Sequence, residues 1–158
     1  PTLVLRGTAL AAMMEAGQYR PLSLASAVTR TAHMLDAVEL GNGCDGRERL
    51  SVIRVGLQDN EELSGSGNVL AGPHHPAFRS LVDTQRFRER LDRDPGRYSW
   101  GRRTLEIKVH PKESGRFAGH KKSNIVHLKT VYGAASILLR GDSALAAMTY
   151  QIDIVDGR

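Results

Sequence analysis

Cysteine is almost missing from this sequence: among 158 residues there is one, Cys44, set in the run Gly41-Asn42-Gly43-Cys44-Asp45-Gly46. A single thiol excludes an intrachain disulfide, and it excludes an iron–sulfur cluster held by this chain alone, because such clusters take three or four thiolates. The lack of disulfides fits a reducing cytosol, so a cytoplasmic location is expected. Aromatics are also scarce, at 5%, so the core must come from Leu, Val, Ile, Ala and Met. No apolar run approaches the roughly 18 residues of a membrane span. The opening Pro1-Thr2-Leu3-Val4-Leu5-Arg6 lacks the basic stretch that begins a signal peptide. No membrane association is expected, and the absence of an initiator Met suggests a fragment or a processed product.

What remains is the composition of an ordinary globular protein, 41% hydrophobic and 25% charged. The net charge is +5, and Lys and Arg thicken between positions 79 and 129. Such a balance favours polyanionic partners, although a merely solubilising surface would look the same.

The chain divides by pattern. Residues 2–5 have strand character, Thr8 can cap a helix over 9–16, and Ser23 can cap a second helix over 24–40 whose Val28, Ala32, Leu35 and Val38 recur at helical spacing. Val52, Ile53, Val55 and Leu57 predict a strand over 51–57. Residues 1–58 thus read β-α-α-β, a piece of an α/β structure with parallel strands. The polar, Gly-rich stretch 59–76 reads as a linker, and 77–158 as a second module. In it, a helix over 77–91 turns Arg79, Arg86, Arg88, Arg90 and Arg93 away from its apolar face. A strand over 103–110 alternates Leu105, Ile107 and Val109 with Glu106 and Lys108. Short helices follow near 112–118 and 123–132, then strands over 136–140 and 148–155.

Between those two short helices stands Phe117-Ala118-Gly119-His120-Lys121-Lys122-Ser123-Asn124-Ile125-Val126-His127-Leu128, followed by Tyr132-Gly133-Ala134-Ala135-Ser136-Ile137. This resembles the signature of KH domains, in which G-x-x-G joins two helices. Lys122 stands where the family has its second glycine, which favours sequence-tolerant phosphate binding over base reading. Amides at the start of the second helix, with its dipole, can receive an anion. The expected phosphate-binding residues are Arg116, Gly119, His120, Lys121, Lys122, Ser123 and Lys129, with Ile107, Ile125, Leu128 and Ile137 as an apolar groove floor for unpaired bases.

A second resemblance rests on Leu5-Arg6-Gly7-Thr8, Gly17-Gln18-Tyr19-Arg20-Pro21-Leu22-Ser23, Val52-Ile53-Arg54-Val55-Gly56-Leu57-Gln58 and Ala71-Gly72-Pro73-His74-His75-Pro76. These blocks are similar to the C-terminal region of radical S-adenosylmethionine (SAM) proteins, in the branch of the Elongator catalytic subunit and the oxygen-independent coproporphyrinogen oxidase-like proteins. The resemblance implies a partial (β/α) barrel and a parent protein that uses a [4Fe–4S] cluster and S-adenosylmethionine. The cluster motif would lie upstream, and an N-terminal radical SAM barrel would be a partner. If 51–58 is a barrel strand, Arg54 and Gln58 at its C-terminal end face substrate or cofactor in the full enzyme.

The expected fold is therefore α/β plus α+β: partial (β/α) barrel strands and helices, then a KH-like αβααββ unit. The expected function is an accessory portion of a radical SAM enzyme with a basic surface for RNA, tRNA being one candidate. A stand-alone RNA-binding module and a structural or oligomerisation domain are the rivals. No metal is expected at His74-His75, since adjacent side chains rarely converge on one ion; a role at the start of the following helix suits them better.

Overall fold

A computed structural model describes residues 2–42, 49–57 and 67–155. The chain forms two compact units, 1–82 and 83–158, and the division falls inside one long helix.

In the first unit, β1 (Val4–Leu5) leads into α1 (Ala9–Glu15), whose N-cap is Thr8: its hydroxyl accepts from the Ala11 amide at 3.3 Å. Helix α2 (Leu24–Asn42) begins after Ser23, whose Oγ accepts from the Ser26 amide at 3.1 Å. At its far end Asn42 closes a ring with Leu50, donating to its carbonyl and accepting from its amide, both at 2.8 Å. Ala27, Val28, Ala32 and Leu35 of α2 pack with Phe78 and Val82, the periodic positions doing what their spacing requires.

The strand expected over 51–57 does not form: residues 49–57 are irregular, and Ile53 is 96% exposed. Instead β2 (Val69–Ala71), inside the stretch read as a linker, pairs antiparallel with β1. The reason is local. The chain at Gly72 approaches Leu3 so closely that a Cβ there would stand 2.7 Å from the Thr2 carbonyl oxygen and 3.1 Å from Leu3 Cα, at φ +112. Among the described residues no strand pairs with Val52 and Ile53, and β-branched residues alone do not hold a strand. No parallel strand pair occurs among the described residues of this unit.

Helix α3 (Phe78–Arg93) starts beyond Pro76, with His75 Nδ1 accepting from the Ala77 amide at 3.0 Å, the helix-start role expected for this histidine pair. Its second half belongs to the 83–158 unit. There, β3 (Thr104–Val109), α4 (Ser114–Ala118), α5 (Ser123–Thr130), β4 (Ser136–Gly141) and β5 (Tyr150–Val155) follow in order. The three strands make one mixed sheet in the order β4-β3-β5. β3 runs parallel to β4 and antiparallel to β5. The parallel pair is joined through α4 and α5, as a parallel connection demands a crossover.

Leu105, Ile107 and Val109 are all fully buried on one face of β3, the strict alternation read from the sequence. They meet Phe87, Leu91, Trp100, Phe117 and Leu128 in the core. Phe117 packs edge-on to Phe87 and Tyr150, with ring centroids 5.2 and 5.8 Å away. On the opposite sheet face Glu106 accepts from Arg140 at 3.0 Å and Lys108 meets Asp153 at 2.9 Å. The Asp153 carboxylate raises the Lys108 ammonium and is itself held below its ordinary value.

Candidate nucleic-acid interface

The α4–loop–α5 junction is fixed by one buried amide. The Asn124 side chain is fully buried. Its Nδ2 donates to the Phe117 carbonyl at 2.9 Å and to the Thr84 carbonyl at 3.0 Å, and its Oδ1 accepts from Arg88 Nε at 3.0 Å. Three elements, α3, α4 and α5, are thereby tied at one point. Sequence reasoning passed over Asn124; a polar residue two positions into a helix reads as surface, and its partners lie 7, 36 and 40 positions away.

Gly119 opens the loop at φ +81, ψ 166, a conformation that is essentially glycine's alone. A Cβ here would sit 2.5 Å from Ser123 Oγ and 2.8 Å from Thr84 Cγ2. Lys121 (φ 52, ψ 32) and Lys122 (φ 60, ψ 32) are both left-handed. Lys122, in the place of the second glycine of the KH signature, thus adopts a backbone shape that glycine would take more cheaply. It also stands at the N-cap of α5 without any side-chain cap, and no acidic residue occupies the first turn.

The sequence-expected site residues separate into two groups. His120, Lys121, Lys122 and Lys129 are accessible on the loop and helix surface, and Gly119 and Ser123 are half-buried. Among the described residues no carboxylate lies within salt-bridge distance of Lys121, Lys122 or Lys129. Arg116 is half-exposed and pairs with Glu113 at 2.7 Å and with fully buried Asp83 at 3.4 Å. The expected groove floor holds only in part: Ile107 and Leu128 are fully buried, while Ile125 and Ile137 are partly buried against the same core. The basic face expected for α3 is partly consumed internally: Arg86 is 4% exposed beside Asp83, Arg88 serves Asn124, and Arg90 donates to the Met148 carbonyl.

His127 contacts Asp92 at 2.6 Å, and Tyr132 donates to the same carboxylate oxygen at 2.7 Å. Burial, then the hydrogen bond to Asp92 and its charge, push the Tyr132 phenol up to about 12 from 10.0. Burial pulls Asp92 upward, but the bonds from Tyr132 and His127, with the charges of His127 and Arg88, outweigh it and leave the carboxyl below its ordinary value. Folding therefore favours neutral Tyr132. That contribution is whole below pH 10.0 and is lost as pH rises through about 12. The Asp92 contribution is present above the ordinary carboxyl value and is lost as pH falls through its lowered one. In ultraviolet difference absorbance Tyr132 is expected to ionise near pH 12. Asp92→Asn should bring that step down toward pH 10; an unmoved step would mean that Asp92 does not set it.

In the first unit, Arg54 is exposed and lines an open groove of about 370 Å³ with Arg30, Met34, Leu35, Val52 and Val55. Gln58 lies outside the described residues. So does Cys44. The family comparison concerns this half of the chain. The model of the Radical_SAM C-terminal domain matches residues 1–88, more than half of the sequence. The chain belongs to that family, and so is a C-terminal accessory part of a radical SAM protein. No curated protein and no solved structure matches it.

Radical SAM parents use a [4Fe–4S] cluster and S-adenosylmethionine. The donors present here do not fit the cluster: the chain has one cysteine, and among the described residues no group of three or more His, Cys, Asp or Glu is placed to hold a metal. Nor is any helix among them long and apolar enough to cross a membrane.

Proposed function

We propose that this chain is the accessory portion of a radical SAM enzyme of the Elongator and coproporphyrinogen oxidase-like branch, and that its 83–158 unit is a KH-like module offering RNA a seat for the phosphate backbone. The observation that carries the reading is the state of Lys121 and Lys122. Both are exposed, both are left-handed, and Lys122 sits at an uncapped helix start. Two of these features cost stability locally: non-glycine residues resist that backbone region, and a cation opposes the helix dipole. An anion bound there would offset the charge cost. The helix–loop–helix between parallel β3 and β4 supports the KH-like reading.

In the first unit, Met34 is 67% and Ile53 96% exposed beside the Arg54 groove. That apolar surface suits contact with the radical SAM barrel of the parent, where Arg54 and Gln58 would face substrate or cofactor.

The test is anisotropy of labelled tRNA titrated with the 158-residue chain at several salt concentrations. Lys121→Glu with Lys122→Glu should weaken binding at least about tenfold and lower the salt slope by about two, one for each phosphate that is no longer neutralised. Equal affinity of the wild type and the double variant would overturn the reading.

A further inference from the structure

We propose that Tyr98 is a stacking platform for an unpaired base, giving the RNA surface a second contact at the opposite end of α5 from residues 119–123. This rests on the RNA reading and deepens it to single-stranded RNA. Of the other aromatic side chains in the 83–158 unit, Phe87, Trp100 and Phe117 are buried, and Tyr132 and Tyr150 spend their hydroxyls on Asp92 and Asp94. Tyr98 is different: it is 83% exposed.

It is also held in place. The Arg97 guanidinium lies 4.3 Å from its ring centroid, and Nη2 donates to its hydroxyl at 2.7 Å. Arg97 is itself anchored by Nη1 on the Asp94 carbonyl at 2.7 Å. An aromatic ring with one face held by Arg97 and the rest left to water is preorganised for stacking on its open face, because little freedom remains to be lost on binding.

Arg102 and Arg103 follow in the loop that leads to β3, and both are exposed. That loop is fastened to the end of α5: Trp100 packs edge-on to Tyr132 with centroids 5.4 Å apart, and the Arg102 amide donates to the Gly133 carbonyl at 2.9 Å. Exposed Lys129 lies in the last turn of the helix. An eight-residue helix is about 12 Å long, a span that a few nucleotides bridge. Positive charge beside an open π face suits an unpaired nucleotide. A duplex hides its base faces and offers only phosphate, which gives the ring nothing to stack on.

The test uses fluorescein-labelled oligoadenylate of about ten nucleotides and a blunt duplex of the same length, with the whole chain. Tyr98→Ala should weaken single-strand binding at least about fivefold, Tyr98→Leu should weaken it comparably, and Tyr98→Trp should preserve it. Duplex affinity should be the same for all four proteins. Near-ultraviolet circular dichroism and an unchanged denaturation midpoint would verify that each variant is folded. If Tyr98→Ala and Tyr98→Leu bind the single strand like wild type while the Lys121/Lys122 double variant does not, stacking is refuted and the phosphate seat stands. If wild type binds neither probe, both proposals fall. If the Tyr98 variants change self-association in sedimentation and leave RNA affinity intact, the ring is a protein contact and the proposal is overturned.

Discussion

Asn124→Ala is expected to remove about 3–4 kcal/mol from the 83–158 unit, a large share of what a domain of this size holds. The side chain makes three hydrogen bonds in a fully buried setting. Alanine withdraws the donor from the Phe117 carbonyl, which sits at the end of α4 where helical carbonyls lack partners. It withdraws the second donor from Thr84 and leaves Arg88 Nε without its acceptor. Removing one side of a buried network exposes the others to the full cost of burial without a bond. Asn124→Asp should be no better: it keeps the acceptor for Arg88 but loses both donors and buries a charge. Val126→Ala, two positions on and 52% exposed, should change stability by less than about 1 kcal/mol. Urea denaturation followed by fluorescence gives the answer for this unit specifically, since the one tryptophan, Trp100, is 2% exposed within its core. A loss under about 1 kcal/mol would mean that the amide is not the lock it resembles.

How much of this was legible beforehand depends on the range of the interactions involved. The alternation of β3 and the caps Thr8 and Ser23 are local, and they emerge where the pattern places them. Membership in the radical SAM C-terminal family was legible from the blocks around Tyr19-Arg20-Pro21 and His74-His75-Pro76, within the matched residues 1–88. The strand over 51–57 failed because a strand is a property of a pair, and no described strand lies beside it, while β1 pairs with Val69–Ala71. That three-residue strand is too short to announce itself by period. Arginine was the other difficulty. Arg79, Arg86 and Arg88 look alike in sequence, yet Arg86 is 4% exposed beside Asp83 on the same helix, and only the fold brings Asn124, 36 positions away, to Arg88. The Arg116 pairings were only half legible: Glu113 is near in sequence, but Asp83 comes from a different helix. Of the candidate site, the exposure of Lys121 and Lys122 followed from composition. Their left-handed backbone did not, because nothing in two consecutive lysines predicts it.

Gly119→Ala should cost about 2–4 kcal/mol, while Gly115→Ala, four positions earlier, should stabilise by roughly 0.5–1 kcal/mol. The two glycines differ in backbone course and in what surrounds them. Gly115 lies inside α4, and nothing stands within 4 Å of its virtual Cβ, so alanine there gains helix propensity and meets no neighbour. At Gly119 the Cβ collides with Ser123 Oγ at 2.5 Å and Thr84 Cγ2 at 2.8 Å, and lies 3.3 Å from the Asn124 amide nitrogen. The hydroxyl of Ser123 can turn aside. Thr84 is 7% exposed and Asn124 fully buried, so neither can yield without disturbing the network that joins α3, α4 and α5. The backbone angles add a second, independent penalty that relaxation of neighbours does not relieve. Relief must come by moving the loop itself, and the loop carries Lys121 and Lys122. Gly119→Ala should therefore weaken RNA binding even in the fraction that remains folded, whereas Gly115→Ala should leave it unchanged. Denaturant midpoints and RNA anisotropy measured on the same two variants check both halves. If Gly119→Ala were as stable as Gly115→Ala, the chain at 119 could not have the tight positive-φ course on which the phosphate seat depends.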